Sequence, residues 1–248
     1  MNVRRKKEMC EERILPEPHR YAVCAPDGIP IKEFYKEVFD EIFVFFHPFI
    51  KPKTIDFELF HPDTYPSRND IRDNGEMVTW KQFLSFSGIE NFKQLDIGLR
   101  TNILGLREQF EDRNAAILIE KAILKNSIAP PNEGQLPEFV MNNVLKEITN
   151  LGHNWLWIGD EFCTERKLNY ITDLIKDNNK LDDGKNLFTH DNSILITTHW
   201  DSHFSLLCSD RQTLKHLVTT CNLEGFYCTE ATEIYWSLSK ETLEYIGG

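Results

Sequence analysis

Ile194-Leu-Ile-Thr-Thr-His-Trp-Asp-Ser-His-Phe-Ser-Leu-Leu-Cys208 decides the fold class. Both ends are rich in β-branched and apolar residues, which favours strands. A single strand over the whole stretch would run far beyond the usual five or six residues. The reading is therefore two strands reversing at Asp201-Ser202. Moving outward, Arg211 to Cys221 has helical spacing, and Gly225-Phe-Tyr-Cys228 and Thr232-Glu-Ile-Tyr-Trp236 are again β-rich. Hairpin, helix, hairpin is enough for a small antiparallel sheet covered on one face by helices.

Upstream the texture is helical. Apolar residues Ile31, Phe34, Tyr35, Val38, Phe39, Ile42 and Phe43 recur at helical spacing, predicting a helix from about Pro30 to Phe46 that His47-Pro48 ends. Thr54 to Phe60 alternates in part and predicts a short strand. Thr79 with Gln82 forms a capping box before a helix that Gly88 closes, and Asn91 with Gln94 opens a longer one towards Phe110. Further helices are expected over Ala115 to Lys125, Pro137 to Asn150, and from a cap at Asp160 to about Lys176. Trp155 to Ile158 reads as a strand, Asn178 to Asn192 as a polar loop. The expected class is α+β, a mostly helical N-terminal part followed by the small sheet. The expected organisation is an irregular arm over 1–29, a helical region over 30–128, a linker at Ala129-Pro-Pro-Asn-Glu-Gly134, and an α+β region over 137–248. One continuous domain over 30–248 is the alternative.

The 248 residues carry 28 Lys+Arg against 39 Asp+Glu, a net charge of -11. A field of that sign repels phosphate, so no nucleic-acid partner is expected. No stretch approaches the roughly 18 to 20 apolar residues of a membrane span. Arg4 to Lys7 are followed at once by Glu8, which suits neither a signal nor a transit peptide, so a cytoplasmic location is expected. The six cysteines include no C-x-x-C pair, so reduced thiols are the default and no cofactor is expected.

Three constellations carry possible chemistry. On a continuous strand, His199, Asp201 and His203 would share a face and could bind zinc or iron; the turn at Asp201-Ser202 would put the histidines on opposite faces. Cys163, placed in the first turn of the expected helix, precedes His203, an order similar to that of papain-like thiol hydrolases and acyltransferases. The neighbouring Asp160, Glu161 and Glu165 oppose a thiolate there. Gly98-Leu-Arg100 and Gly105-Leu-Arg107 echo each other at seven residues, which on one helix sets two arginines about 10 Å apart. They could grip an anion, or pair with the local acids Asp96, Glu108 and Glu111. Arg100, Arg107, Trp200 and Asp201 are the candidate binding residues. Trp155, Trp157, Trp200, Tyr227, Tyr235 and Trp236 have acidic neighbours, which suits core packing or a protein-facing patch better than stacked bases.

Trp80-Lys-Gln-Phe-Leu-Ser-Phe-Ser-Gly88, Leu95-Asp-Ile-Gly-Leu-Arg100, the stretch His199 to Cys208, and Glu224-Gly-Phe-Tyr227 resemble a bacterial family known as a domain of unknown function. The resemblance covers the chain beyond the N-terminal arm and implies no catalytic residues. The acidic α+β character is also similar to that of some bacterial immunity proteins. The expectation is a non-catalytic protein-binding module. The alternative is a thiol- or metal-dependent hydrolase or acyltransferase using Cys163 or the His199, Asp201, His203 cluster.

Overall fold

A computed structural model describes residues 22–182 and 184–234. Their order is α1 (Ile31–Phe34), β1 (Glu41–Phe46), β2 (Phe49–Pro52), α2 (Arg68–Asn74), β3 (Gly75–Val78), α3 (Trp80–Ser87), α4 (Phe92–Asn102), α5 (Arg113–Asn126) and α6 (Met141–Asn150). Then follow β4 (Trp155–Gly159), β5 (Arg166–Tyr170), α7 (Ile171–Lys176), β6 (Asn186–Phe188), β7 (Ile194–Thr198), β8 (Phe204–Ser209), α8 (Arg211–Thr220) and β9 (Gly225–Tyr227). The class is mixed α and β. Most of the arm expected over 1–29 and the end of the strand expected over Thr232 to Trp236, with Tyr235 and Trp236, lie outside the described residues.

Seven strands form one antiparallel sheet in the order β5-β4-β6-β7-β8-β1-β9, and β2 pairs with β3 in a separate hairpin. The sheet is larger than expected, and helices cover both faces. Ile42, Val44, Phe46, Leu195 and Leu206 pack on one side with Trp80, Phe83, Leu95 and Ile119 from α3, α4 and α5. Phe43, Phe45, Ile196 and Leu207 pack on the other with residues of α6, α7 and α8 such as Val144, Leu174 and Leu217. Strands buried on both faces need apolar residues at nearly every position, which is why β1, β7 and β8 read as continuous runs.

Several expected elements are corrected. Pro30 to Phe46 is not one helix. The chain leaves α1 after one turn, passes through Glu37 in the left-handed region at φ 65, and enters β1, which lies between β8 and β9. The helical part therefore does not simply precede the sheet. Phe57 to Leu59 is a 3-10 turn capped by Asp56 instead of a strand. Asp160 does not cap a helix: its carboxylate accepts the backbone N–H groups of Thr164 (2.7 Å) and Glu165 (3.3 Å), closing the turn between β4 and β5. The polar loop expected over 178–192 contains β6. The capping box at Thr79 and Gln82, left-handed Gly88, and the caps at Asn91 and Asp210 are all present. Among the described residues no helix is long and apolar enough to cross a membrane.

Candidate functional site

The site is built around the loop that joins β7 to β8. The last registered pair is Thr198 with Ser205, and the chain reverses over His199 to His203. Ser202 fixes the turn: its N–H donates to the His199 carbonyl (3.2 Å), and its hydroxyl lies 2.9 Å and 3.0 Å from the carbonyls of His199 and Phe204. Two further segments dock on this loop through backbone bonds. The N–H of Gly134 donates to the Ser202 carbonyl, and that of His47 to the His203 carbonyl, both at 2.9 Å. The reversal expected at Asp201-Ser202 is thus present.

The C-terminal turn of α4 brings Arg100 to the same place. Its side chain is buried, and its charge acts on Asp27, Asp96, His199, Asp201 and His203. Burial pushes the Asp96 carboxyl up to about 6, against the pull of Arg100 one helical turn away. Burial, aided by the Arg100 charge, pushes His199 down to about 4 and His203 down to about 3. His199 Nε2 is 3.5 Å from Asp27 Oδ1. Both imidazoles are neutral at physiological pH and can offer a lone pair and one N–H.

His203 also lines a cavity of about 670 Å³. Its other walls are Phe60 and Tyr65, the end of α4 at Leu99 and Ile103, and the segment Pro130 to Gln135 with Glu138. Arg68 anchors that segment: its guanidinium donates to the carbonyls of Leu136 (2.7 Å) and Pro137 (3.1 Å) and lies 3.7 Å from Asp182. Glu138 is buried and accepts from Asn132 Nδ2 at 3.3 Å; burial raises its carboxyl above the usual range while Arg68 opposes the shift. Four polar atoms of cavity-lining side chains are buried without a hydrogen-bond partner among the described residues: Tyr65 Oη, Arg68 Nε (3.7 Å from Asp182 Oδ1), Gln135 Oε1 and His203 Nδ1.

The remaining candidates from sequence are dispersed. α4 ends at Asn102, because Leu104 turns to φ 59 and Gly105 N–H bonds back to the Arg100 carbonyl at 2.9 Å. Arg107 is therefore off the helix and exposed, so the seven-residue echo does not make one stripe. Cys163 sits in the β4–β5 turn at φ 53, not at a helix N-terminus. Burial raises its thiol, against Arg166, and among the described residues no hydrogen bond joins it to His203. Trp200 is 41% exposed on the loop, its ring 5.7 Å from that of His199. Among the described residues, the three side chains with metal-ligand spacing are His153, His190 and Asp191, not the cluster of His199, Asp201 and His203. Tyr65, Arg68, Gln135 and Glu138 belong to no motif legible in the sequence: the first two lie in a Pro-, Asp- and Asn-rich stretch, Gln135 follows the expected linker, and Glu138 falls at the start of the helix expected from Pro137. The Pro62, Pro66 and Pro130-Pro131 positions were the available signal, since prolines stiffen loops that carry function.

Residues 27–238 match the family described as Protein of unknown function (DUF2711). The chain is also similar to Uncharacterized protein YwbB of Bacillus subtilis (strain 168), 24% identical over 180 residues, which is 69% of this chain and 77% of that protein. No solved structure matches.

Proposed function

Since the chain belongs to the DUF2711 family, whose description carries no activity, we propose from its geometry alone that it binds a small molecule bearing N–H donors in the cavity beside His203. The observation that carries this is the set of buried polar atoms without hydrogen-bond partners in side chains that line one cavity. Leaving such an atom unmade costs about 1–3 kcal/mol, which small side-chain shifts towards a bound ligand would recover. The volume falls within the usual range of ligand sites. Gln135 Oε1 only accepts, Tyr65 Oη accepts or donates, neutral His203 offers a lone pair on one ring nitrogen, and Glu138 adds a carboxyl. The one fixed donor among these atoms, Arg68 Nε, already lies 3.7 Å from Asp182, and the others can accept; Phe60, Tyr65, Leu99 and Ile103 supply apolar wall, so an amine or amide on an apolar body fits best.

A protein partner is the second reading, favoured by the exposed indole of Trp200 on the same loop. The hydrolase alternative lacks comparable support, because Cys163 occupies a turn of its own.

Saturation-transfer NMR with benzylamine, benzamide and benzoate tests the proposal. At about 0.5 kcal/mol per heavy atom the first two bind with Kd on the order of millimolar, and benzoate binds less well. Ile103→Trp, filling the cavity from a half-exposed position, abolishes the signal. No binding, or equal binding to that variant, refutes the proposal.

A further inference from the structure

At the opposite end of β7 from the cavity loop, His153, His190 and Asp191 converge although they come from two distant segments. One ligand atom from each lies within 4.8 Å of the other two. Tetrahedral zinc, with bonds of about 2.0–2.1 Å, spaces its ligands ~3.4 Å apart, so closure needs shifts of roughly 1 Å. His190 and Asp191 are exposed and His153 is half-buried, so their side chains have that freedom.

The backbone beneath them is fixed. Gly152, in the left-handed region at φ 101, ends the turn after α6, and His153 N–H bonds to the Ile148 carbonyl at 3.2 Å. His190 and Asp191 occupy the turn between β6 and β7, where Asn192 takes φ 64 and its N–H bonds to the Thr189 carbonyl at 3.3 Å. Ser193 ties the two segments together: its hydroxyl donates to Asp191 Oδ1 at 2.8 Å and lies 3.3 Å from His153 Nε2. Ligation through His153 Nδ1 leaves Nε2–H on the Ser193 oxygen, the kind of outer contact that orients metal-binding imidazoles.

We propose that His153, His190 and Asp191 form a binding site for a divalent late first-row transition metal, with Zn²⁺ as its simplest occupant. Two imidazoles and one carboxylate suit zinc, nickel or copper, whereas magnesium and calcium take oxygen ligands. Three protein ligands leave a fourth position to water, as in open sites. A bound ion would pin the α6–β4 connection to the β6–β7 turn. The site shares no residue with the cavity, so either proposal stands if the other falls.

The test is equilibrium dialysis of the full chain, untagged and stripped with EDTA, against Zn²⁺, with the visible spectrum of the Co²⁺ form as a second readout. The expected result is one equivalent of zinc bound below about 100 μM free metal, undiminished by excess Mg²⁺. His190→Gln and Asp191→Asn each weaken it at least about tenfold, and Ser193→Ala about 10–100-fold. Far-UV circular dichroism confirms that each variant is folded. No stoichiometric zinc in that range, or zinc held equally by His190→Gln and Asp191→Asn, overturns the site.

Discussion

Gly134→Ala should damage stability and the cavity together. Gly134 stands at φ 59, its N–H on the Ser202 carbonyl at 2.9 Å and its own carbonyl accepting from the Lys185 ammonium. A Cβ there would lie 2.9 Å from both the carbonyl carbon and Cα of Trp200, and closer still to the Trp200 carbonyl oxygen. These are backbone atoms, so no rotamer change relieves the clash. The left-handed backbone costs an alanine about 1–2 kcal/mol, and overpacking about 1–3 kcal/mol. Restriction of the unfolded chain returns about 0.4–1 kcal/mol. The net loss is about 1–5 kcal/mol, or about 2–20 °C in Tm for a chain of this size. Gly28→Ala is the control: φ is 74, but nothing lies within 4 Å of its added carbon, so only the backbone cost of about 1–2 kcal/mol applies, less the same return of about 0.4–1 kcal/mol. Thermal melts followed by circular dichroism compare the two variants, and saturation transfer with benzamide reads the cavity wall. If Gly134→Ala melts no lower than Gly28→Ala and binds benzamide like the parent, the docking of 130–135 on the β7–β8 loop does not define the site.

The buried titratable groups pull the pH profile in opposite directions. Asp96, raised from 3.8 to about 6, contributes stability that is fully present below 3.8 and lost as pH rises through about 6. Asp96→Asn should therefore gain on the parent across that window by about 2–3 kcal/mol, and a urea-midpoint difference that is flat with pH would contradict this. His199 and His203, lowered from 6.5 to about 4 and about 3, contribute stability present above 6.5 and lost as pH falls through those values. His203→Asn should flatten the acid limb of the same titration. Glu224 accepts the N–H groups of Trp80 (2.7 Å) and Lys81 (2.9 Å) in the first turn of α3. Glu224→Ala should cost about 1.5–3 kcal/mol, with Glu224→Gln recovering part of it; equal melting of Glu224→Ala and parent would remove that role.

Local chemistry was legible in the sequence, and long-range pairing was not. Thr79 with Gln82 and Asn91 cap the helices they were expected to open, because a cap satisfies the donors of its own first turn. Asp160 shows the limit of that logic. Its carboxylate does collect N–H groups four and five residues on, but the same contacts also close a hairpin turn. Glu41 to Phe46 fits a helix and a doubly buried strand equally well. Only its place between β8 and β9 decides, and that depends on residues more than 150 positions away. The stretches that carried the family resemblance also turn out to hold packing. Glu224 caps α3, and a Cβ on Gly225 would lie 2.8 Å from the Phe45 Cα and nearer still to the Val44 carbonyl oxygen.

How Arg100 and the residues of the β7–β8 loop meet was not legible, for a more specific reason. Alternation governs side chains only where strands are paired, and pairing stops at Thr198 with Ser205. His199 and His203 lie beyond that pair, so the reversal that should have separated them leaves both under the influence of Arg100. A guanidinium reaches so deep a position only if its helix packs closely. Gly98, two residues earlier, permits that: an added Cβ would meet Ala115 Cβ at 3.0 Å and press harder still on Ile119 Cδ1. The glycine of Gly98-Leu-Arg100 thus draws α4 onto α5, and the arginine uses that approach. A buried cation is costly without counter-charge, which Asp27, Asp96 and Asp201 supply, while the imidazoles stay neutral beside it. The cluster is therefore set by helix packing, with the strand pattern only delivering the loop to it.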